Sequence, residues 1–569
     1  MLGAYPLNSV PLNGLAVSGS NVQPIEQSGS FAWRLQVLLG GVDVTEVLTG
    51  SVVISRSEDG DAVARFGLYL GPGPVDVVSY SGAALTVDFV VLGNPDHASR
   101  RFTGYLVQPS FDVLSRVMLC EATTRLADTI ERMELAEIDL LTGGYWSADV
   151  FEETAGRSRW DYAQERMSTR PASLNVDRNG QPRVTSWQPA LAYEFGAGTS
   201  VYESVDVNLA PLSDTPNVYE LELDYRFSRY RQRNQAYSWL HPGTGGNTSI
   251  TGFNAWRADS TELPDVQMIT EATESAGWYL RSANWFRLYG DMPDLPQPWY
   301  NDNTDLLLGA DWWASIRWSQ RAVEQYRVRL QVGASVAAVG EVIERARVVL
   351  DTDSSGDQAW DQSTGTGGVV AGDAPVNNGT SRDAGRLAEA AVCALHQGRT
   401  ALLAGHRANQ VTWQTPLAHA LAVDFGQGIR ASDGQVLVTG VPAALEEEMD
   451  ITTGLAMLTI TLAVSAGKPG AVDDELALPA PPEFEDDAGP IMSGALPTQL
   501  GLKASSPLYD DEMPGFAGNY SIGNGDPSLR FPRRFMLITP EIPEQWRDEI
   551  QAEQPAIYSV APRADTLEL

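Results

Sequence analysis

Lysine is almost missing from this chain of 569 residues. The only two are Lys468 and Lys503, so nearly all the positive charge is arginine. Acidic side chains number 73 against 39 basic ones, a formal net charge of −34. That balance excludes broad non-specific binding to DNA or to an anionic membrane, both of which need an excess of cations. It suits a surface past which DNA must slide without sticking, and it equally suits plain solubility. Arginine's planar fork favours fixed two-point pairing with carboxylates, so the bias points to interfaces. Cysteine is scarce too. Cys120 and Cys393 lie far apart in apolar contexts and read as buried thiols, which rules out a disulfide framework and a cysteine-based zinc or iron–sulfur site. The five histidines, His97, His241, His396, His406 and His419, show no HExxH spacing. There is no GxSxG elbow, phosphate loop or GxGxxG turn after a strand. Carboxylate pairs are too common here to locate a glycosidase site. The longest weakly charged run, Thr453 to Gly467, is too short and too rich in threonine to span a bilayer. The first basic residue is Arg34, so a positively charged leader segment is missing and a soluble protein made in a cytoplasm is expected. The expectation is a non-enzyme with no catalytic residue, no cofactor and no resident metal.

What is present is strand. Gly 52 and Pro 34 mark a loop-rich chain, and its length suggests roughly three or four domains. The fold class expected is α+β, mostly β: two similar small β-barrel domains with an inserted α+β region and extended N- and C-terminal arms. Residues 1–30 form an N-terminal arm with a Pro-Leu-Asn echo (Tyr5–Asn8, Val10–Gly14) that could lay Tyr5, Leu7 and Leu12 on a neighbour. Residues 31–127 form a first barrel of about six strands, with Trp33, Leu35 and Val37, then Phe66, Leu68 and Leu70, alternating. Residues 128–216 form a small α+β domain, in which Ser158 caps a helix and Asp177-Arg178-Asn179-Gly180 turns a hairpin. Residues 217–375 form a Trp-rich β domain with long loops. Residues 376–467 hold one long helix, Ser381 to His406, and a second barrel-like set. Residues 468–569 form an acidic, Pro-rich extension, read as a strap to neighbours.

Two stretches echo each other. Arg101 to Ala122 runs through Thr103-Gly104, a proline-bearing link and a second strand. Val438 to Ala463 does the same through Thr439-Gly440, after which Leu458, Ile460 and Leu462 alternate. The pattern suggests two copies of one β unit.

Three features could bind something. Arg229, Arg231 and Arg233 form the one basic cluster, on a strand in which Tyr219, Leu221, Leu223, Tyr225 and Phe227 alternate with charged residues. In so acidic a chain they are read as meeting carboxylates rather than phosphate. Trp299 and Tyr300 end a proline-rich run in the Trp-rich region, which reads as interface or core before it reads as a sugar site. Asp351, Asp353, Ser355 and Asp357 match the first half of a calcium loop, but Gln362 stands where a bidentate Glu is needed, so the stretch reads first as an acidic loop.

The barrel segments SVVISRSEDGDAVARFGLYL and RRFTGYLVQPSFDV resemble, together with the helix–hairpin SRWDYAQERMSTRPASLNVDRNGQPRVTSWQP, the baseplate hub or tail-tip hub of tailed bacteriophages. The strand ELELDYRFSRYR, the long Ala-rich helix and the closing GQVLVTG…TTGLAMLTITL extend the resemblance over roughly Phe31 to Gly467. It implies a homotrimer in the virion, assembled in the host cytoplasm, whose paired barrels form a pseudo-six-fold ring. The ring would join a six-fold tail tube or distal tail protein to a three-fold central fibre or spike, with the tape-measure protein ending in a lumen through which DNA leaves. No sequence-specific nucleic-acid binding and no membrane segment is implied. Some relatives hold an iron–sulfur cluster on several cysteines, which two distant cysteines cannot do. Alternatives are a carbohydrate-binding or glycan-hydrolysing virion protein, resting on the tryptophans, and a distal tail protein, which forms a hexameric ring.

Overall fold

Period-two alternation places apolar residues on one face of each strand, and burying that face forces the strands into sheets. The computed structural model describes residues 22–25, 32–91, 98–201, 203–240, 264–287, 307–352, 376–434, 436–484, 494–496, 512–517, 534–539 and 541–569. The first part of the chain gives strands β1 (Trp33–Leu39), β2 (Leu48–Ser57), β3 (Ala62–Tyr69), β4 (Ala84–Val91), β5 (Ala98–Leu106), its short continuation β6 (Ser110–Asp112), and β7 (Val117–Thr123). They pair in the order β2-β3-β7-β5-β4-β1. Leu35, Val37, Ile54, Ala64, Leu68, Leu85, Val87 and Ala122 are all buried in one core.

A helix, α1 (Arg159–Ser168), starts on the Ser158 cap, whose hydroxyl accepts from the Asp161 N–H at 3.2 Å. It leads into the hairpin β8 (Ala172–Val176) and β9 (Pro182–Ser186). Two short strands follow, β10 (Leu191–Phe195) and β11 (Asp206–Asn208). The chain then leaves on a long excursion. Strands β12 (Val218–Leu240) and β13 (Leu307–Gln331) pair antiparallel from Val218↔Gln331 to Leu240↔Gly309, an arm roughly 75 Å long at the usual rise per residue. At its base β14 (Ile343–Asp351) pairs parallel with β12. Helix α2 (Ala384–Gly405) covers one face there, capped by Asp383, with Leu387, Ala391, Ala394, Leu395 and Leu402 set against Tyr219, Leu221, Leu223 and Tyr225. Gly398 sits where a Cβ would fall 2.4 Å from the Tyr219 ring, so only glycine permits the close approach. After the excursion come β15 (Asn409–Pro416), β16 (Gly428–Ser432), β17 (Leu437–Asp450) and β18 (Leu455–Val464).

These last strands complete a second sheet unit. Its order is β11-β15-β18-β17-β16-β10, the first unit's order strand for strand, with the six strands in the same chain order. Only the outermost pair differs, since β1 runs antiparallel to β4 and β10 parallel to β16. The registers match in detail. Tyr105↔Thr123 and Leu106↔Ala122 are followed by a bulge at which the N–H groups of Val107 and Gln108 both reach the Glu121 carbonyl. Val441↔Ala463 and Pro442↔Leu462 are followed by a bulge that leaves Ala443 extra before Ala444↔Thr461. Gly104 and Gly440 precede the two bulges by the same spacing. A Cβ at Gly104 would lie 2.6 Å from the Thr123 carbonyl oxygen, and one at Gly440 2.6 Å from that of Ala463. In the first repeat β2 and β3 are linked by residues 58–61; in the second, residues 209–408 fill the same link.

Neither repeat is a closed barrel among the described residues. The outer edge of β2, which closure would need, is taken instead by the second half of β17, from Ala444↔Ser57 to Asp450↔Ser51. The two repeats thereby form one continuous sheet. Residues 191–208, grouped by sequence with the α+β segment, belong to this sheet. The ends of the chain also return to it. Gln23–Ile25 pairs parallel with β10 and Leu567–Glu568 pairs with β17, while β19 (Ile550–Ser559) pairs parallel with β13 in the separate sheet of the arm. The described part of the C-terminal extension therefore straps the chain to itself, where a strap to neighbours was expected.

Candidate functional site at the repeat junction

Val52, Ile54 and Arg56 point to the same side of β2, and Leu445, Glu447 and Met449 to the same side of β17. Each apolar row thus carries one charge into the interior, where the repeats meet. Arg101, on β5, is fully buried against the fully buried Glu447: its Nε donates to Oε2 at 2.7 Å and its Nη2 to Oε1. Arg56 donates to Asp424 Oδ1 at 2.9 Å and lies 3.7 Å from Glu447. The β8–β9 hairpin adds two more arginines. Arg183 holds Asp424 at 2.8 and 3.1 Å, and Arg178 donates to the carbonyls of Leu421 and Val423 at 2.7 and 2.6 Å. The site ties both repeats and the hairpin together.

Electrostatics keep it ionised. Burial by itself would raise Glu447, but the charge and hydrogen bonds of Arg101, with Arg56 behind, hold it below the usual carboxylate range. Burial likewise opposes ionisation of Asp424, and Arg56 and Arg183 overcome it. Arg178 is pushed down to about 10, first by burial and then by Arg101 and Arg56. Such a cluster is costly to bury but very sensitive to loss of one partner, since removal strands an unpaired charge. Sequence reading missed it because its paired members lie 241 to 368 residues apart. The readable signal is a charge at an inward position of an alternating row, at Arg56 and again at Glu447.

The residues singled out from sequence fall elsewhere. Arg229, Arg231 and Arg233 lie on β12 and are buried. Arg231 donates to Gln320 at 2.7 Å, and Arg229 and Arg233 lie over the rings of Phe484 and Trp546. Trp239, Trp278 and Trp312 build the core of the arm's tip with Tyr237, Phe516 and Phe535. Asp351 ends β14 and pairs with Arg321 at 3.0 Å. Asp353, Ser355, Asp357, Tyr5, Leu7, Leu12, Trp299 and Tyr300 lie outside the described residues. Among the described residues no group of three or more His, Cys, Asp or Glu side chains could hold a metal, and no helix is long and apolar enough to cross a membrane.

No protein-family model and no curated protein matches the sequence. Solved structures do. A 43 kDa tail protein of prophage MuSo2 from Shewanella oneidensis matches with TM-score 0.34 at 9% identity, over 76% of this chain and 96% of its own. A tail protein from Neisseria meningitidis matches with TM-score 0.35 at 8% identity, again over 76% and 96%. An E. coli component of the type VI secretion system, described as similar to the bacteriophage T4 tail proteins gp27 and gp5, matches with TM-score 0.27 at 5% identity, over 79% and 80%. The structural neighbours are tail proteins and type VI secretion components.

Proposed function

We propose that this chain is a structural subunit of a phage tail tip or baseplate: a homotrimeric hub that joins a six-fold tail tube or distal tail protein to a three-fold fibre or spike. The observation that carries this reading is the duplication. Two repeats of one strand order lie side by side in a single sheet, so three chains would present six similar units to a six-fold partner. The repeats are unequal in one respect, since only the second carries the long excursion of residues 209–408. Three chains would therefore display three arms on a six-unit ring, which is the geometry an adaptor between six-fold and three-fold neighbours requires. A net charge of −34 suits a channel that must let DNA pass without binding it, and the reading places the chain in the virion, next to the end of the tape-measure protein. Electron microscopy of the purified full chain tests the reading: a ring of three copies with six similar lobes is expected. A ring of six copies would make it a distal tail protein instead, and a lone monomer at all concentrations would overturn the hub.

A further inference from the structure

The repeat junction is used once inside the chain, yet each repeat carries both halves of it. The half contributed by β17 is its outer edge after the bulge, at Glu446, Glu447 and Glu448, which pair with Ser55, Ile54 and Val53 of β2. Counting from the bulge, the same half in the first repeat is Ser110, Phe111 and Asp112 on β6. The half contributed by β2 has its counterpart in β11: Val53 faces Arg65 of β3, and Asp206 faces Thr412 of β15 at the matching ladder position. Asp206, Val207, Asn208 and Leu209 therefore stand where Val53, Ile54, Ser55 and Arg56 stand in the first repeat. Among the described residues neither β6 nor β11 has a strand on its outer edge.

We propose that copies of this chain join head to tail by pairing the outer edge of β6 in one copy with the outer edge of β11 in the next, in the register of the internal junction. This rests on the hub reading and specifies its contact. The pairs are Ser110 with Asn208, Phe111 with Val207, Asp112 with Asp206, and Pro109 with Leu209. The occupant is a second copy because the chain already shows the mating surface, antiparallel and in register, between its own repeats. The interior chemistry is inverted in a way that fits assembly after folding. Where the internal junction buries Arg56 against Glu447, the external one sets Leu209 against Phe111, and Leu209 is 57% exposed in the single chain. An ion pair buried during folding is never left unpaired, whereas an edge that waits in water for a partner is less costly to keep apolar than to keep charged and later strip of water.

Paired cysteines test the register in the full-length chain, whose own Cys120 and Cys393 are buried. S110C/N208C should oxidise to covalent species of up to three copies on a non-reducing gel, with each single variant giving none. S55C/E446C should close within one chain, reporting an intact fold. Leu209→Arg should weaken association roughly 30-fold or more with melting unchanged. Three-copy particles that never cross-link through S110C/N208C, while the internal control closes, would overturn the edge assignment and leave the hub standing. A chain that stays monomeric throughout would overturn both.

Discussion

The first repeat links β2 to β3 through residues 58–61, and the second threads residues 209–408 through the same link. Apart from the direction of the outermost strand, the rest of the layout is kept: six strands in one order, a glycine pressed on a carbonyl, a bulge in the same place. The outer face has diverged as well. A groove crosses the first repeat, lined among others by Val53, Gly67, Val117 and Leu119. The matching ladder positions in the second repeat hold Gln414 for Gly67, Asp206 for Val53, Met457 for Val117 and Thr459 for Leu119. The comparison teaches that ladder and bulge are fixed by the backbone's own hydrogen bonding, while turns, faces and edges are free to take on separate tasks. An insertion at a turn lengthens a loop whose closure cost grows only slowly with length, so the repeat tolerates it.

The sharpest way to break the comparison is at the internal junction, where the repeats differ most in chemistry. Glu447→Ala strands Arg101 as a buried unpaired charge, while Arg56 keeps Asp424, and should cost about 3–5 kcal/mol, read as a lower melting temperature in calorimetry. The double change Arg101→Met with Glu447→Met removes charge on both sides and should recover most of that loss. If Glu447→Ala costs no more than a surface substitution, the ion pairs do not hold the repeats together. Acid addresses the same site. Both Glu447 and Asp424 titrate below their usual range in the fold. Their contribution is therefore complete above the ordinary carboxylate range near pH 4 and declines as pH falls toward the depressed native values. Stability of the parent chain should fall more steeply from about pH 4 to pH 2 than that of Glu447→Gln, measured by denaturant midpoint. Parallel slopes would mean the lowered carboxylates lie elsewhere.

A smaller effect tests the equivalence itself. Gly104→Ala and Gly440→Ala each push a methyl against the carbonyl of the opposing strand, so each should cost about 1–3 kcal/mol. Similar losses would confirm that the two ladders share one geometry. A loss at only one site would mean that its partner strand can give way.

Much of this was legible because it is periodic. The alternation from Asn217 to Arg233 marks the base of β12, and the Ala-rich stretch from Ser381 marks α2, whose observed start at Ala384 lies three residues later, after its Asp383 cap. Thr103-Gly104 and Thr439-Gly440 pick out equivalent ladder positions because the bulge that follows demands the same close approach. The strands β10 and β11 were not legible. Asp206–Asn208 is three residues long and carries no period of its own, so only its partner β15 makes it a strand. The ionic junction was hidden for a related reason: a lone inward charge looks like an interruption until the residue that answers it, in the other repeat, is known. Strand edges gave the least signal, since a free edge and a paired edge can share one sequence pattern.

The smallest expected effect bears most directly on the proposed contact. In the register transferred from the internal junction, Asp112 of one copy faces Asp206 of the next, whereas the internal counterpart sets Glu448 against the uncharged Val53. Like charges directly opposite on neighbouring strands cost up to about 1 kcal/mol. Asp206→Asn should therefore tighten association about two- to fivefold, measured by sedimentation or light scattering across a dilution series. Asp112 is the poorer site to change, because its carboxylate also accepts from the Leu114 N–H at 3.0 Å and the Ser115 hydroxyl at 2.6 Å and so shapes its own turn. Salt gives an independent reading. Raising ionic strength screens the repulsion, so it should strengthen the parent association and narrow the advantage of Asp206→Asn. Weaker association of Asp206→Asn would mean that Asp206 meets a cation rather than Asp112, and that the strands pair in another register.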